Sequence, residues 1–166
     1  MMDRAEFVAR FGGVFEHSAW IAERAFDRGA LPERLDAGCL HGALAAEFRA
    51  ASEGERLGVL RAHPDLAGRL AVAGELTEDS RREQAGAGLD RLTAAEFARF
   101  TDLNTRYQTR FGFPFIIAVK GLTRGEILHA FENRIHHGHQ EEFGTACREV
   151  EKIARLRLEA MDFSAP

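Results

Sequence analysis

Apolar and polar positions along this chain recur with the three-to-four-residue period of amphipathic helices. The segments 20–25 and 40–48 are clear examples, each with apolar side chains on one helical face. No run of alternating residues bounded by turn residues predicts a sheet. The pattern therefore predicts an all-α fold, a compact bundle of about eight to nine helices in one domain that covers residues 1–166.

Local signals predict where these helices begin and end. In a capping box, a short side-chain oxygen and a glutamate three residues later satisfy each other's free amides at a helix start. Four such boxes occur: Asp3 with Glu6, Ser52 with Glu55, Thr93 with Glu96, and Thr123 with Glu126. Glycine or proline within or beside the segment predicts breaks at 12–13, 29–32, 62–63, 73–74, 112–114 and 121.

The conformation of the apolar segment 111–119 stays open between helix and buried strand. Pro114 prevents a helix from running through it, and the β-branched residues that follow favour extended backbone. Extended backbone among helices has amides without intrahelical partners, and a ligand is one group that can satisfy them.

Composition narrows the class of protein. The chain of 166 residues is 45% hydrophobic and 29% charged, which is typical of a soluble globular domain. Its net charge of -4 argues against a dedicated nucleic-acid binder, because such proteins usually carry a basic excess. Cys39 and Cys147 fit no metal-binding spacing, so we expect free thiols in a reducing cytosol. The N-terminus has no signal-peptide pattern and the apolar run 113–119 is too short to span a bilayer, so we expect a cytoplasmic protein without a membrane partner.

His63 is the first candidate for chemistry. It lies directly before Pro64, where a helix is expected to begin and the histidine to stay outside it. Free amides and the dipole at a helix start favour anions, and an imidazole titrates near neutral pH. A catalytic histidine and a structural one both fit this position. Asp65 is interpreted as a favourable acid in the first helical turn.

A polar helix follows. The segment 77–88 has no large apolar residue but a strong helix signature, and Ser80, Glu83 and Gln84 share one face by their spacing. Such a face either meets solvent or lines a site. The small residues at 85–88 allow close helix approach, which a helix that only faces water does not need.

The last long helix carries an arginine in its apolar stripe. The stripe consists of Phe143, Ala146, Val150, Ile153, Arg157 and Ala160. A buried guanidinium needs an anion partner, whereas one at the edge of the stripe reaches solvent. The pattern leaves both interpretations open. If Arg157 binds a ligand, leucine in its place is expected to weaken ligand binding and to preserve or raise thermal stability, because leucine suits the stripe.

The three histidines His136, His137 and His139 are candidate metal ligands. Adjacent residues 136 and 137 point to different sides of a helix, and no H-E-x-x-H pattern accompanies them. Gly138 predicts a helix end, where histidines also cap carbonyl groups. We therefore expect no metal here, with a metal-dependent hydrolase kept as an alternative.

Five motifs occur in order along the chain. They are 63–68 (His-Pro-Asp-Leu-Ala-Gly), 80–89 (Ser-Arg-Arg-Glu-Gln-Ala-Gly-Ala-Gly-Leu), Asn104 with Tyr107, 111–116 (Phe-Gly-Phe-Pro-Phe-Ile) and 152–158 (Lys-Ile-Ala-Arg-Leu-Arg-Leu). Together they resemble 2-oxo-4-hydroxy-4-carboxy-5-ureidoimidazoline (OHCU) decarboxylase, the last enzyme between urate and (S)-allantoin. The resemblance extends from Phe7 to Leu158. It implies an all-helical single domain, usually a homodimer, that needs no cofactor.

The resemblance also implies a site. Its catalytic residues correspond to His63, Glu83 and Arg157, with His63 handling a proton and Arg157 neutralising substrate charge and pairing with Glu83. The implied substrate-binding positions are Pro64, Ser80 and Gln84, with the backbone amides of Ile116, Ile117 and Ala118. The C=N group of the substrate ring serves as its own electron sink, which agrees with the expectation of no cofactor and no metal.

Two further alternatives stay open. The first is a helical interaction module without catalysis, in which the conspicuous residues serve as caps and surface. The second is a decarboxylase or hydratase that acts on another ureido or purine-derived ring, because pocket shape sets substrate choice.

Overall fold

A computed structural model describes residues 2–29 and 31–164. Within them the chain forms nine α-helices and no β-strand, which confirms the all-α prediction. The helices are α1 (Arg4–Phe11), α2 (Trp20–Asp27), α3 (Ala37–Ala50), α4 (Glu53–Ala62), α5 (Arg69–Ala73), α6 (Glu78–Gly86), α7 (Ala94–Phe111), α8 (Arg124–Arg134) and α9 (His139–Glu159). No helix among these residues is long and apolar enough to cross a membrane.

All four predicted capping boxes form, at the starts of α1, α4, α7 and α8. In each, both hydrogen bonds of the box are present, and caps of this kind stabilise a helix by about 1 kcal/mol. In α4 the cap is reinforced, because the Arg24 guanidinium and the Ser52 amide lower the pKa of the Glu55 carboxyl to about 2.

Four of the helix ends also follow the sequence. α1, α4, α5 and α7 end directly before or within the predicted breaks. Gly74 and Gly112 have φ of 71° and 77°, a left-handed conformation that glycine adopts without strain. The predicted break at 29–32 includes residue 30, which lies outside the described residues. The segment 114–119 is neither helix nor strand.

Backbone contacts divide the chain into two compact units. The first unit contains residues 1–62 and 150–166, and the second contains residues 63–149. In the first unit α2 packs against α1 and α3. Aromatic rings fill part of its core, with Phe7 5.5 Å from Phe26 and Phe15 5.5 Å from Phe48 between ring centroids.

The second unit is organised around Tyr107 of α7, which is completely buried. Four phenylalanine rings lie within 4.5 to 5.9 Å of its ring centroid: Phe111, Phe113, Phe115 and Phe131. Phe115 stacks on Phe131 of α8 with 3.9 Å between centroids. This cluster attaches the irregular segment 114–119 to α7 and α8.

Candidate active site

His63 lies in the second unit, on the loop of residues 63–68 between α4 and α5. It is the first residue after α4, as Pro64 predicts, and only 8% of it is exposed. The expectation of a helix that begins at Pro64 with Asp65 in its first turn is wrong, because α5 begins at Arg69. The 63–68 loop replaces that helical turn.

Gln84 of α6 binds the backbone of this loop with both ends of its side-chain amide. Its Oε1 accepts the Ala67 amide at 2.9 Å, and its Nε2 donates to the Asp65 carbonyl at 3.2 Å. These two hydrogen bonds satisfy loop groups that a helical turn would otherwise satisfy. One lone pair and one N–H of the amide are still available to a ligand.

Two side chains of α7, neither of them in the predicted site, hold the loop as well. Nδ2 of Asn104 donates to the Leu66 carbonyl at 2.9 Å, and Nε2 of Gln108 donates to Oδ1 of Asp65 at 3.2 Å. Burial raises the pKa of the Asp65 carboxyl, and the hydrogen bond from Gln108 opposes that shift. Only the resemblance had drawn attention to Asn104, and no spacing signal marked Gln108.

The loop turns tightly at its end. Ala67 has a φ of 50°, a left-handed conformation that costs a residue with a Cβ about 1 to 2 kcal/mol. At Gly68 a Cβ would lie 2.5 Å from the Cβ of Asp65, closer than two such atoms approach. The motif therefore needs glycine at 68 because the chain folds back against Asp65.

We expect Gly68→Ala to leave the protein folded and to lower its catalytic rate by about tenfold or more, because the added methyl group displaces the loop that carries His63. Gly58→Ala is the matched control, since a Cβ at that exposed position in α4 meets nothing within 4 Å. It should keep full activity and gain about 1 kcal/mol of stability. Equal activity of both variants in a steady-state assay would refute the expectation.

The polar face of α6 is directed inward. Ser80 and Gln84 are buried, and Glu83 is half-buried, so the interpretation of a solvent-exposed face is wrong for the first two. The Thr77 side chain caps the helix by accepting the Ser80 amide at 3.2 Å. Buried polar groups on a helix without large apolar side chains are typical of a binding site.

The segment 114–119 is held by charged side chains. Nη1 of Arg134 donates to the Ile116 carbonyl at 2.7 Å, and the guanidinium lies 4.4 Å from the Phe115 ring centroid. The Ala118 amide donates to Oε2 of Glu149 at 3.4 Å. Within the described residues, the amides of Ile116 and Ile117 have no hydrogen-bond partner. These two amides can therefore donate to a ligand.

Arg134 in turn belongs to a buried network around Glu142, which is 0% exposed. Oε1 of Glu142 accepts from Tyr107 at 2.5 Å and from Nε of Arg134 at 2.8 Å, and its Oε2 lies 3.0 Å from Nδ1 of His137. Burial, and next the hydrogen bond to Glu142, raise the pKa of the Tyr107 hydroxyl. His137 thus has a carboxylate partner, and no group of three metal-ligating side chains occurs among the described residues.

Tyr107→Phe is expected to destabilise the protein by about 1 to 3 kcal/mol, because a fully buried carboxylate loses one hydrogen-bond donor. Urea unfolding monitored by circular dichroism measures the effect. An unchanged midpoint would mean that Arg134 and His137 satisfy Glu142 without the tyrosine.

Arg157 lies in the first unit, at the end of α9. Its Nη2 is 2.8 Å from Oε2 of Glu16, and the two side chains are only 4% and 1% exposed. Its Nη1 also approaches the carbonyls of Gly13 and Val14 at 3.4 and 3.5 Å. The guanidinium is therefore buried with an anion partner and does not reach solvent at the edge of the stripe. No spacing signal had marked Glu16, and the pairing of Arg157 with Glu83 stays a prediction.

The second unit contains all predicted site residues except Arg157. Hydrogen bonds join the 63–68 loop to Gln84, and Ser80 and Glu83 share the helix of that residue. The backbone at 116–118 is positioned by Arg134 and Glu149.

Comparison with known proteins adds an independent finding. Residues 1–159 match the family model of OHCU decarboxylase. The chain is 44% identical over 159 residues to the 2-oxo-4-hydroxy-4-carboxy-5-ureidoimidazoline decarboxylase of Halalkalicoccus jeotgali, which covers 96% of this chain and 86% of that protein. A crystal structure of (S)-allantoin synthase superposes with a TM-score of 0.74 at 34% identity, covering 94% of this chain and 50% of that one. A crystal structure of OHCU decarboxylase in the presence of (S)-allantoin gives 0.70 at 25% identity, covering 92% and 96%.

Proposed function

Because the chain belongs to the OHCU decarboxylase family, we propose that it removes carbon dioxide from OHCU and releases (S)-allantoin during urate breakdown. The structural observation that carries this assignment is the inward polar face of α6, which binds the buried loop of His63 through Gln84. The face offers a carboxylate, a hydroxyl and an amide to a small polar molecule, and the loop adds the imidazole of His63.

The chemistry needs an electron sink and a proton. When the bond to the carboxylate carbon breaks, carbon dioxide leaves, the electron pair forms a carbon–carbon double bond, and the adjacent ring C=N group accepts the displaced pair at nitrogen, which takes up a proton. The resulting enol then loses its hydroxyl proton and becomes the ring carbonyl as a proton is added to the carbon that bears the ureido group. The face on which this proton arrives sets the (S) configuration. The protein therefore has to orient the ring and move protons.

His63 is the residue for proton movement at the hydroxyl or carboxylate end of the substrate, because an imidazole exchanges protons near neutral pH. Glu83 accepts hydrogen bonds from ring or ureido N–H groups. Arg157 neutralises the charge of the substrate or of the intermediate. The buried position of His63 limits the access of water to its imidazole.

The other positions bind the ring. Ser80 and the unused N–H and lone pair of Gln84 bond its polar atoms, and Pro64 packs beside it. The amides of Ile116 and Ile117 donate to a ring carbonyl, where negative charge develops. Ala118 is the weakest of the predicted ligands, because its amide already donates to Glu149.

Several finer properties are part of the same proposal. The enzyme is a carboxy-lyase that acts as a homodimer in the cytoplasm, without a cofactor and without a nucleic-acid or membrane partner. Residues 1–166 form one catalytic domain, which is supported by the family match over residues 1–159.

The test follows the circular dichroism of allantoin produced from urate. Urate oxidase and hydroxyisourate hydrolase generate OHCU, which decays by itself to racemic allantoin. Adding this protein should produce a rapid dichroic signal of (S)-allantoin. A flat signal, with both upstream enzymes active and this protein folded, would contradict the proposal and favour another ring substrate or a binding role.

A further inference from the structure

We propose that Asn104 and Gln108 of α7 are positioning residues of the decarboxylation: together with Gln84 they hold the 63–68 loop in the conformation in which His63 acts. This inference rests on the proposed function of His63. Both residues act through the loop and not on the substrate.

The segment 64–68 could form either the observed loop or an N-terminal extension of α5. Pro64 followed by Asp65 is a favourable helix start, and a longer α5 would satisfy the same backbone groups within the helix. The observed loop instead places Ala67 in the left-handed region at a φ of 50°. Such a conformation persists only where the surroundings determine it.

Side chains from α6 and α7 fix the backbone at three consecutive residues of the loop. Asn104 donates to the Leu66 carbonyl at 2.9 Å. Gln84 donates to the Asp65 carbonyl and accepts the Ala67 amide. Gln108 adds a hydrogen bond to the side chain of Asp65. A helix that begins at Pro64 would lose these contacts, so they favour the loop over the helix.

Side-chain packing does not hold the loop in place on the side that faces a cavity. A cavity of about 540 Å³ lies against it, with Asp65, Ala67, Gly68, Asn104 and Gln108 among its lining residues. Because side chains do not fill this space, directional hydrogen bonds are the contacts available to hold the loop there.

The buried side-chain oxygen of Asn104 lowers the stability of the fold. Stability alone therefore does not explain why an asparagine occupies this position. Its Nδ2 must face the Leu66 carbonyl, since the reverse orientation would bring two oxygens together. The Oδ1 atom is then buried, and it has no hydrogen-bond partner among the described residues. A buried acceptor in that state costs about 1 to 3 kcal/mol. An amide at this position is therefore explained by the donor that it offers to the loop.

Asn104→Leu separates positioning from stability. Leucine has the same number of side-chain heavy atoms and the same branching. It removes the unsatisfied oxygen but leaves the Leu66 carbonyl without its donor, so the two effects offset each other and we expect stability close to that of the wild type. The value of kcat should fall by about tenfold or more and KM should change less, because the loop of His63 is displaced while Ser80 and the amides of Ile116 and Ile117, which lie outside the loop, are intact. Thr105→Ala is the matched control, because its exposed hydroxyl bonds only within α7, to Thr101.

Reversing the donor and the acceptor of the hydrogen bond between Gln108 and Asp65 tests the role of Gln108. In Gln108→Glu two carboxylates face each other, and activity should fall. In Asp65→Asn the asparagine oxygen still accepts from Gln108, and activity should stay close to wild type. The double variant restores a donor and an acceptor in the opposite sense, so its activity should recover. A low rate in the double variant, equal to that of Gln108→Glu, would overturn the role of this contact.

Imidazole resonances give a readout that needs no turnover. In a ¹⁵N-histidine sample, the His63 signals are assigned by their loss in His63→Gln. Their shifts and pH titration should change in Asn104→Leu and Gln108→Glu, and stay as in the wild type in Thr105→Ala. An unchanged His63 titration with unchanged kcat in both variants would overturn the inference. An inactive wild type would instead overturn the proposed function, whatever the resonances show.

Discussion

Replacing His63 by asparagine is expected to lower the rate of (S)-allantoin formation by about a hundredfold or more, with the protein still folded. Asparagine keeps a polar group of similar size at a site that is 8% exposed, but it cannot carry a proton between substrate atoms. The loop should survive the change, because its backbone is held by Gln84 and Asn104 and not by the imidazole alone. The loss should therefore fall on catalysis.

Dichroic measurement of allantoin at saturating substrate gives the rate, and a far-ultraviolet spectrum confirms folding. His136→Asn is the matched control, since this histidine is exposed and belongs to the cluster that suggested a metal. It should retain full activity. His63→Ala should behave as His63→Asn does, and near wild-type turnover in either variant would remove His63 from the mechanism.

The pH profile provides a second signature of the same prediction. Where an imidazole exchanges a proton in the rate-limiting step, kcat/KM carries a limb that reports its titration. This limb should disappear in His63→Asn and persist in His136→Asn. A lower rate with an unchanged profile would indicate that the imidazole binds or orients substrate and does not transfer the proton.

Arg157→Leu is expected to destabilise the protein by about 3 to 5 kcal/mol, the opposite of what the apolar stripe suggested. Leucine does suit the stripe, but the guanidinium faces Glu16 at 2.8 Å, and the side chain of that carboxylate is 1% exposed. Removing the arginine takes this counter-ion away from a charge that water cannot reach. The buried ion pair therefore leads us to replace the sequence-based expectation of preserved or raised stability with this one.

Urea unfolding of four proteins tests the argument. Arg155→Leu is the control, because its ion pair with Glu159 is exposed and should contribute less than about 1 kcal/mol. The double variant Glu16→Leu with Arg157→Leu should recover most of the lost stability, because it leaves no buried charge at either position. Equal stability of Arg157→Leu and wild type would mean that the ion pair contributes nothing.

The double variant also separates two roles of Arg157. If the arginine serves only to neutralise Glu16, a stable double variant should form (S)-allantoin at the wild-type rate. If it also neutralises charge on the substrate, as proposed, the double variant should be folded and have a raised KM, a lowered kcat, or both.

Helix ends were predictable because their causes are short-range. A capping box needs two residues three positions apart, so Thr93 and Glu96 are sufficient to start α7 wherever the helix packs. A left-handed glycine such as Gly112 ends a helix by its own backbone freedom. The inward face of α6 was partly predictable, since Ser80 and Gln84 share a face, but its direction was not.

The sequence by itself determined the all-α class, the helix starts that carry a capping box, several helix ends, and through its motifs the family and the residues proposed for chemistry. The tertiary structure decided what those residues contact. It replaced the helical turn expected after Pro64 with a loop, because the amides of Gln84 and Asn104, 17 and 38 positions from their loop partners, outcompete the local helix signal. It also gave Arg157 its carboxylate from the opposite end of the chain. Hydrogen bonds and buried ion pairs depend on distance in space, and residues so far apart in sequence carry no periodic pattern that reveals them.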